Sequence, residues 1–205
     1  MKNKKITFTV LFVILFYSIG FSQGRIFQID GKNDFAAAVK TEQFVYYKAA
    51  VKTQEQSNWC WAACIQMVLK YQGLYVEQCD IVKKAFKMSS CIDKPADCYT
   101  IEDGVDGWSI NGQQISGEVD FSASSYELID QLAYINPVII GLNMPGQNIG
   151  HAYVLTAVFF KYDSNNRKIP YKVVLRDPWP DNQSRQEFGW NDFVNRINCI
   201  TYVNL

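Results

Sequence analysis

The pattern of apolar and polar positions divides the chain into a helical first half and a strand-rich second half. Residues 25–53 mix short apolar patches with charges. Residues 59–72 are then apolar on nearly all sides, which is typical of a buried helix. Asn58 is a suitable N-cap for this helix, and Gly73 ends it. A second helix is predicted over residues 77–87, where apolar residues recur three and four positions apart.

The middle of the chain is more polar. Residues 88–122 are rich in Gly, Ser, Asp and Asn, and this composition predicts loops with short strands. Ser124 and Glu127 form a capping box, which opens a third helix that runs to about residue 135. Pro137 ends this helix, because the residue before a proline is pushed out of helical space.

The pattern changes to strands from residue 138 onward. Strands are predicted over residues 138–142, 152–162, 171–175 and 199–204, and a short helix near 190–196. The second and third of these strands are joined by a turn at Asp163, so they pair antiparallel. Helices first and antiparallel strands second predict an α+β fold with a seam between the two halves.

Residues 1–22 have the layout of a secretory signal peptide. Three lysines precede an apolar core over residues 6–19, and Gly20 and Ser22 are small residues suited to a cleavage site. A membrane anchor is the alternative, but the apolar core is short for a membrane span and no second hydrophobic stretch follows. We therefore expect export to the periplasm or the exterior, without stable membrane insertion after cleavage.

Cleavage after Ser22 would leave 183 residues, enough for one domain with a hydrophobic core. We assign residues 51–205 to this domain and residues 23–50 to an N-terminal segment or a short pro-region. The shortened chain has 17 basic and 20 acidic side chains, a net charge of −3, and it contains no basic run. This charge pattern argues against a nucleic-acid partner.

A candidate nucleophile lies at the start of the first predicted helix. The thiol of Cys60 faces the positive end of the helix dipole there, and this position favours the thiolate. Gln54, six residues earlier, carries an amide that suits an oxyanion donor beside the Cys60 backbone N–H, and Gln56 competes for this role.

His151 is the only histidine, and therefore the only base available to a thiol–imidazole pair. It begins one strand of the predicted hairpin, and Asp177 follows the end of the partner strand. Because antiparallel pairing brings these two ends together, Asp177 is predicted to orient the imidazole while the other ring nitrogen faces Cys60. Each residue alone has an ordinary structural interpretation, but together they form a nucleophile, a base and an orienter.

Export would permit disulfides among the remaining cysteines. If Cys60 is the nucleophile, five cysteines remain, so at least one further thiol is free or linked to another molecule. A bridge between Cys91 and Cys98 is plausible because they bracket a short polar loop, and Cys79 with Cys91 is the rival. A zinc site is a poor alternative, because the chain has one histidine and no C-x-x-C pair.

The motifs around these residues resemble those of the papain-like cysteine peptidases. The closer match is to the bacterial branch that includes plant-pathogen avirulence proteases and bacteriocin-processing-like peptidases. The resemblance covers about residues 50–200, and the cysteine motif is its most specific part. The matching residues are Gln54, Asn58, Trp59, Cys60, Trp61, Ala62, Ala63, Cys64, Gln78, Cys79, Gly150, His151, Ala152, Asp177, Pro178 and Trp179.

The resemblance implies a papain-like fold, in which an N-terminal buried helix carries the nucleophile and packs against a C-terminal antiparallel sheet. It assigns Cys60 as the nucleophile and His151 as the general base and acid. Asp177 takes the place of the third member, and Gln54 that of the oxyanion glutamine. No metal or organic cofactor is implied.

The resemblance also gives candidate substrate-binding residues, namely Trp61, Gly150 and Trp179, the last of which matches the tryptophan that shields the histidine. Two departures from papain stand out. Cys60 and His151 are 91 residues apart, against roughly 130 in papain proper. The region before the oxyanion glutamine is also too short for papain's large pro-domain. Papain's subsite preferences therefore cannot be transferred.

We predict an exported bacterial cysteine endopeptidase that hydrolyses a protein or peptide substrate through a Cys60 thioester. A cell-wall peptide amidase, which would release muropeptide fragments, is one rival. A binding module that keeps the fold without turnover is the other. The complete set of Cys, His, Asp and Gln argues against the binding module.

Overall fold

The computed structural model describes residues 26–29, 31–39, 53–122, 124–146 and 149–205. The predicted signal peptide, residues 1–22, lies outside these ranges. The helices are α1 (Cys60–Tyr71), α2 (Gln78–Phe86), α3 (Cys98–Val105), α4 (Ser125–Ala133) and α5 (Trp190–Arg196). The strands are β1 (Ile26–Gln28), β2 (Phe35–Ala38), β3 (Ser109–Ile110), β4 (Gln113–Gln114), β5 (Ser116–Asp120), β6 (Val138–Asn143), β7 (Gly150–Tyr162), β8 (Lys168–Arg176), β9 (Arg185–Gly189) and β10 (Ile197–Asn204).

The long strand β7 lies at the centre of an antiparallel sheet. One edge of β7 pairs with β6 along its first half and with β2 along its second half. The other edge pairs with β8, which in turn pairs with β9. Beyond β6 the sheet continues through β10 to β5, and beyond β2 it ends at β1. The predicted α+β class and the hairpin of β7 and β8 are confirmed.

Helix α1 is the hydrophobic centre of the helical half. Every residue from Trp61 to Leu69 is buried, and the helix packs against β7, β6, α2 and α3. Removing a large apolar side chain from water contributes about 1.5–3 kcal/mol, so this packing fixes the helix firmly against the sheet. The prediction of a buried N-terminal helix is confirmed to within one residue at each end.

The start of α1 differs from the prediction in one respect. Trp59, not Asn58, occupies the N-cap position, and no side chain caps the helix. The Asn58 backbone N–H instead donates to Asp93 Oδ1 at 2.8 Å. This bond joins the turn before Cys60 to the loop that precedes α3.

The prediction of mainly loops with short strands over residues 88–122 is confirmed for the short strands β3, β4 and β5, but it missed α3. Asp97 is its N-cap and accepts a hydrogen bond from the Thr100 backbone N–H at 2.8 Å. Gly104 lets α3 approach α1 closely, since a Cβ at this position would meet Ile65 Cδ1 at 2.9 Å. A glycine that reads as a loop residue in the sequence is therefore a packing residue of a helix.

The described parts of the N-terminal segment belong to the sheet. Strand β2 pairs with β7, and Ala36 and Ala37 are buried in this contact. The division between this segment and the domain over residues 51–205 stays a prediction.

The described cysteines form two disulfides, one between residues 12 apart in the sequence and one between residues 101 apart. Cys79 on α2 is bonded to Cys91, and Cys98 at the start of α3 is bonded to Cys199 on β10. The predicted bridge between Cys91 and Cys98 is not formed, and its rival is found instead. Cys98 begins a helix that packs against β10, so its side chain reaches across the seam and not along its own loop. Within the described ranges, no helix has both the length and the apolar character needed to cross a membrane.

Candidate active site

Cys60 is the first residue of α1 and lies at the seam between helices and sheet. It is half-buried and lines a cavity of about 400 Å³. The first hydrogen bond within the helix runs from the Ala63 N–H to the Trp59 carbonyl at 2.9 Å. The backbone N–H of Cys60 precedes this bond, so the helix does not use it. A thiol and a backbone donor therefore stand together at the positive end of the helix.

His151 reaches the same cavity from the start of β7, so its ring and the Cys60 thiol border one space. Its Nε2 lies 2.8 Å from Asp177 Oδ1. An ionised carboxylate only accepts hydrogen bonds, so Nε2 carries the proton and Nδ1 is the nitrogen left to face Cys60. The structure thus brings the three residues together in the order that the hairpin predicted.

Asp177 is held in place from three directions. Its Oδ1 also accepts a hydrogen bond from the Trp179 backbone N–H at 2.9 Å, and its Oδ2 accepts one from Asn182 Nδ2 at 2.8 Å. The carboxylate is almost fully buried, with 2% of the residue exposed. Asn182 was missed in the sequence, where an asparagine five residues after Asp177 in a polar turn carries no distinctive signal. It fixes the oxygen that His151 does not contact.

The ionisation of the pair follows from these contacts. Burial alone would lower the pKa of His151, but the hydrogen bonds and negative charges of Asp177 and Cys60 raise it to about 9. Burial opposes the ionisation of Asp177, yet the hydrogen bonds from His151, Trp179 and Asn182 hold its pKa below the ordinary value. Near neutral pH the ring is therefore an imidazolium beside a carboxylate.

Aromatic and small residues surround the imidazole. The Trp179 ring lies 6.1 Å from the His151 ring, centroid to centroid, and the Tyr153 ring lies 4.6 Å from it. Gly150 precedes His151, and a Cβ there would meet the Leu142 carbonyl oxygen at 3.1 Å. Trp179 and Gly150 line the cavity, as does Trp61, which is otherwise buried in the core. All three predicted substrate-binding residues thus border the space beside Cys60, and their role stays a prediction.

Gln54 is placed differently from the other predicted site residues. Its side chain is buried, and Nε2 donates to the carbonyls of Gln56 and Ser57 at 3.0 and 2.9 Å. Its Oε1 has no hydrogen-bond partner among the described residues. Gln54 does not line the cavity, whereas Ser57 does. Both amide protons close the turn that precedes Cys60.

A buried pair of glutamines supports this turn from behind. Gln78 Oε1 accepts from the Glu55 N–H at 3.0 Å, and Gln78 Nε2 donates to the Thr53 carbonyl at 3.1 Å. Gln78 Nε2 also donates to Gln66 Oε1 at 3.1 Å. The two glutamines come from α2 and α1, so they connect both helices to the backbone on either side of Gln54. Sequence reasoning missed Gln66 because a glutamine on an apolar helix reads as an exposed position.

Replacing Gln54 with alanine separates two roles for this residue. We expect a loss of about 1–2 kcal/mol in the free energy of unfolding, because the Gln56 and Ser57 carbonyls both lose their hydrogen-bond donor. The measurement is urea unfolding beside kcat/KM. An unchanged free energy of unfolding with a fall of two or three orders of magnitude in kcat would show instead that the amide acts as an oxyanion donor.

The second free thiol is less accessible than that of Cys60. Cys64 lies one turn further along α1 and is fully buried. Burial, and then the charges of Cys60 and Asp177, raise its pKa well above the ordinary value. The other four cysteines are bonded in disulfides.

We therefore expect iodoacetamide to modify one cysteine per native molecule, and peptide mapping to place the label on Cys60. Cys64→Ala is the matched control and should leave both the stoichiometry and the rate unchanged. Cys60→Ala should abolish labelling. Equal modification of Cys60 and Cys64 in the native protein would contradict this assignment of the reactive thiol.

Comparison with known proteins agrees with this geometry. The fold is similar to that of the peptidase domain of Streptococcus ComA, a bi-functional ABC transporter involved in a quorum-sensing pathway, with a TM-score of 0.52. The two chains are 14% identical, and the match covers 74% of this chain and 94% of that one. No curated protein matches this chain in a sequence comparison.

The fold and the sequence together define a cysteine peptidase of the papain-like type. The profile of the Peptidase C39 like family matches residues 46–204, which is most of the chain. The chain belongs to this family, and the resemblance to the bacteriocin-processing branch is confirmed.

Proposed function

We propose that this protein is an exported cysteine endopeptidase that cleaves peptide bonds with Cys60 as nucleophile, His151 as base and acid, and Asp177 as orienter. The single observation that carries the proposal is that Cys60 and His151 line the same open cavity, while His151 Nε2 lies 2.8 Å from the buried Asp177 Oδ1. Membership of the family supports the reaction class. The disulfides are compatible with an exported protein.

The geometry supports a two-step reaction. The Cys60 thiolate attacks the carbonyl carbon of the substrate peptide, and the carbonyl oxygen becomes an oxyanion. The C–N bond then breaks, His151 Nδ1 protonates the leaving amine, and a thioester remains on Cys60. In the second step His151 takes a proton from water, and the resulting hydroxide attacks the thioester carbonyl. The C–S bond then breaks, the carboxylic acid leaves, and the Cys60 thiolate and the His151 imidazolium are restored. Asp177 remains ionised throughout and stabilises the imidazolium.

The Cys60 backbone N–H is the first donor for the oxyanion in this mechanism. The helix does not use it, and it lies next to the attacking sulfur. The role of Gln54 as a second donor stays a prediction. Its contacts with the carbonyls of Gln56 and Ser57 support a role in shaping the turn that sets the position of Cys60.

The pH dependence of kcat/KM should reflect the imidazolium. Because His151 has a pKa of about 9, activity should fall as the pH rises through this value and the proton for the leaving amine is lost. His151 also contributes folding stability that is fully present below pH 6.5 and is lost as the pH rises through about 9.

In Asp177→Ala the alkaline limb of the profile should move to lower pH, because the carboxylate that raises the His151 pKa is gone. The measurement is kcat/KM from pH 4 to 11 for both proteins. Identical alkaline limbs would mean that Asp177 does not control the ionisation of the base.

A digest of a peptide library tests the proposed function, with Cys60→Ala as the matched control. We expect cleavage of internal peptide bonds by the wild type and none by the variant. Purified cell-wall peptidoglycan is the second substrate in the same experiment. Release of muropeptide fragments without cleavage of the library would favour the amidase, and no turnover of either substrate would favour a binding module.

A further inference from the structure

The N-terminal end of α2 carries two adjacent residues, Gln78 and Cys79, that take no part in the proposed reaction. Neither of them lines the cavity beside Cys60. Gln78 is fully buried, and Cys79 forms a disulfide with Cys91. Both are connected, through different contacts, to residues 53–61, the segment that surrounds Cys60. We call these residues the nucleophile segment.

The side chain of Gln78 holds the first part of the nucleophile segment. Its Oε1 accepts a hydrogen bond from the Glu55 N–H at 3.0 Å, and its Nε2 donates to the Thr53 carbonyl at 3.1 Å. Gln66 fixes the orientation of this amide, since its own Nε2 donates to the Val76 carbonyl at 2.7 Å and its Oε1 accepts from Gln78 Nε2 at 3.1 Å. A reversed Gln78 amide would turn Oε1 toward two acceptor oxygens, so one orientation alone satisfies all of these bonds.

The Cys79–Cys91 disulfide holds the second part of the nucleophile segment through the loop that follows Cys91. Residues 92–94 of this loop accept three hydrogen bonds from residues on either side of Cys60. The bonds run from the Asn58 N–H to Asp93 Oδ1 at 2.8 Å, from Trp59 Nε1 to the Ile92 carbonyl at 2.8 Å and from Trp61 Nε1 to the Lys94 carbonyl at 3.2 Å. The disulfide fixes the start of the loop to α2, and the loop in turn fixes the backbone next to Cys60.

These contacts determine the direction of the proposed oxyanion donor. The Cys60 N–H belongs to the peptide unit between Trp59 and Cys60, so the backbone of residues 58 and 59 sets where it points. That backbone is bonded to the loop through the Asn58 N–H, and the Trp59 side chain adds a second bond. A misplacement of about 1 Å can lower a reaction rate about a hundredfold, because an oxyanion hole depends on donors that are already in position.

We propose that Gln78 and the Cys79–Cys91 disulfide are positioning elements, which hold the Cys60 N–H in the direction that the oxyanion requires. The inference rests on the proposed function and adds residues that govern turnover without touching the substrate. Alkylation of Cys60 by iodoacetamide displaces iodide and forms no oxyanion. Loss of either element should therefore slow peptide cleavage but not alkylation, a split that a general loss of folded protein would not produce.

The position of this disulfide makes it sensitive to reductants. Cys91 is exposed, whereas Cys98 and Cys199 of the other disulfide are buried, so a dithiol such as dithiothreitol reaches the Cys79–Cys91 bond first. A thiolate of the reductant attacks Cys91 Sγ, the S–S bond breaks and the Cys79 thiolate leaves. The second thiol of the reductant then displaces Cys91, and the reductant closes to a cyclic disulfide. Full activity thus requires a free Cys60 thiol together with an intact Cys79–Cys91 bond.

The test measures kcat, KM and the iodoacetamide rate of Cys60 for two variants, with a peptide that the wild type cleaves. Gln78→Met keeps an unbranched side chain of similar volume but loses all of its hydrogen bonds. Cys79→Ala combined with Cys91→Ala removes the disulfide. For each variant we expect kcat to fall about tenfold to a hundredfold, while KM and the alkylation rate stay close to the wild-type values.

Gln72→Met is the matched control. Gln72 is the C-cap residue at the opposite end of α1, and its Nε2 donates to the Val203 carbonyl at 3.3 Å. This variant removes a glutamine hydrogen bond that anchors the same helix but contacts no residue of the nucleophile segment, so kcat should stay at the wild-type value. Treatment of the wild type with dithiothreitol supplies a further test. Activity should fall as Cys79 and Cys91 become open to alkylation, while the circular dichroism spectrum is retained.

The outcomes are distinguishable. Wild-type kcat in Gln78→Met would overturn the role of Gln78, and wild-type kcat in the double cysteine variant would overturn that of the disulfide. Equal losses of kcat and of the Cys60 alkylation rate would reduce both elements to structural supports and overturn the inference, with the proposed function intact. If a variant does not fold, the reduced wild type decides, and loss of its circular dichroism spectrum together with its activity would overturn the inference. Absence of cleavage and of Cys60 labelling in the untreated wild type would overturn the proposed function itself.

Discussion

Replacing His151 with alanine is expected to abolish turnover and to lower the rate of Cys60 alkylation near neutral pH strongly. No other histidine is present to take over proton transfer. The variant also removes the positive charge that stabilises the neighbouring thiolate, so both the chemistry and the reactivity of the thiol suffer. We expect kcat/KM to fall by at least about four orders of magnitude.

The measurement pairs kcat/KM on a cleaved peptide with the iodoacetamide rate for the same preparation. Because the His151 side chain is only 12% exposed and contributes to folding stability, circular dichroism and urea unfolding of the variant separate a folding defect from a loss of chemistry. His151→Ala with wild-type alkylation but no turnover would show that the imidazole only transfers protons. Retained turnover would remove His151 from the mechanism.

Replacing Asp177 with alanine is expected to lower kcat/KM by about two to four orders of magnitude while sparing much of the thiol reactivity. Asp177 fixes the ring through the 2.8 Å bond to Nε2, but the imidazole and the helix N-terminus still favour the thiolate without it. The ring is then free to turn away from Cys60, so the proton is delivered less often to the leaving amine. A large loss of turnover with little loss of alkylation distinguishes an orienter from a base.

Asp177→Asn is the matched variant. The amide oxygen of the new asparagine can still accept a hydrogen bond from His151 Nε2. Its amide nitrogen takes the place of Oδ2, which in the wild type accepts a hydrogen bond from Asn182. We therefore expect activity between that of Asp177→Ala and the wild type, with the alkaline limb of the pH profile moved down because the negative charge is gone. Wild-type behaviour of Asp177→Ala in both assays would contradict the orienter role.

An alternative orienter would then have to be found. Asn143, Asn148 and Asp163 lie near the two ends of β7 in the sequence. Asp163 lies at the opposite end of β7 and bonds Arg167 within its turn, so it does not reach His151. Asn143 pairs with Gly150 at the same end of the sheet as His151. Asn148 lies outside the described residues.

The elements that could be predicted are those with a local cause. The apolar run of α1 and the capping box of α4 each predict a helix. The N-cap half of the box is present as the 3.3 Å bond from the Glu127 N–H to Ser124 Oγ, whereas the Ser124 N–H donates to the Ser122 carbonyl. The hairpin of β7 and β8 has a strong turn and two apolar strands. Because strand ends in such a hairpin meet, the contact of His151 with Asp177 could be derived without the fold.

The elements that could not be predicted depend on distant partners. Helix α3 contains Gly104 and lies in a polar stretch of the sequence. It is stabilised by packing against α1 and by the disulfide between Cys98 and Cys199, which are 101 residues apart. Strand β9 is largely polar and forms by pairing with β8. In both cases the residues of the element itself do not indicate the contact that stabilises it.

The same reasoning applies to the candidate site. Asn182 and Gln66 act through tertiary hydrogen bonds, so their sequence neighbours give no indication of them, whereas Gln78 was part of the matching motif but had no role assigned to it. Gln54 shows the opposite case. A motif placed it among the functional residues, and the structure shows an amide that is engaged with its own turn. The spacing of residues along the chain predicts which part of the fold a side chain lies in, but not which groups accept its hydrogen bonds.

The most direct test of the central claim is to trap the acyl group during turnover. The wild type is mixed with a peptide ester of a cleaved sequence, quenched in acid after a fraction of one turnover, and examined by intact-mass and peptide-mapping mass spectrometry. We predict an increase equal to the acyl portion of the substrate, carried on Cys60 as a thioester and absent from Cys60→Ala. Turnover with the acyl group on another residue, or with no covalent intermediate under conditions where acylation outpaces hydrolysis, would contradict the account.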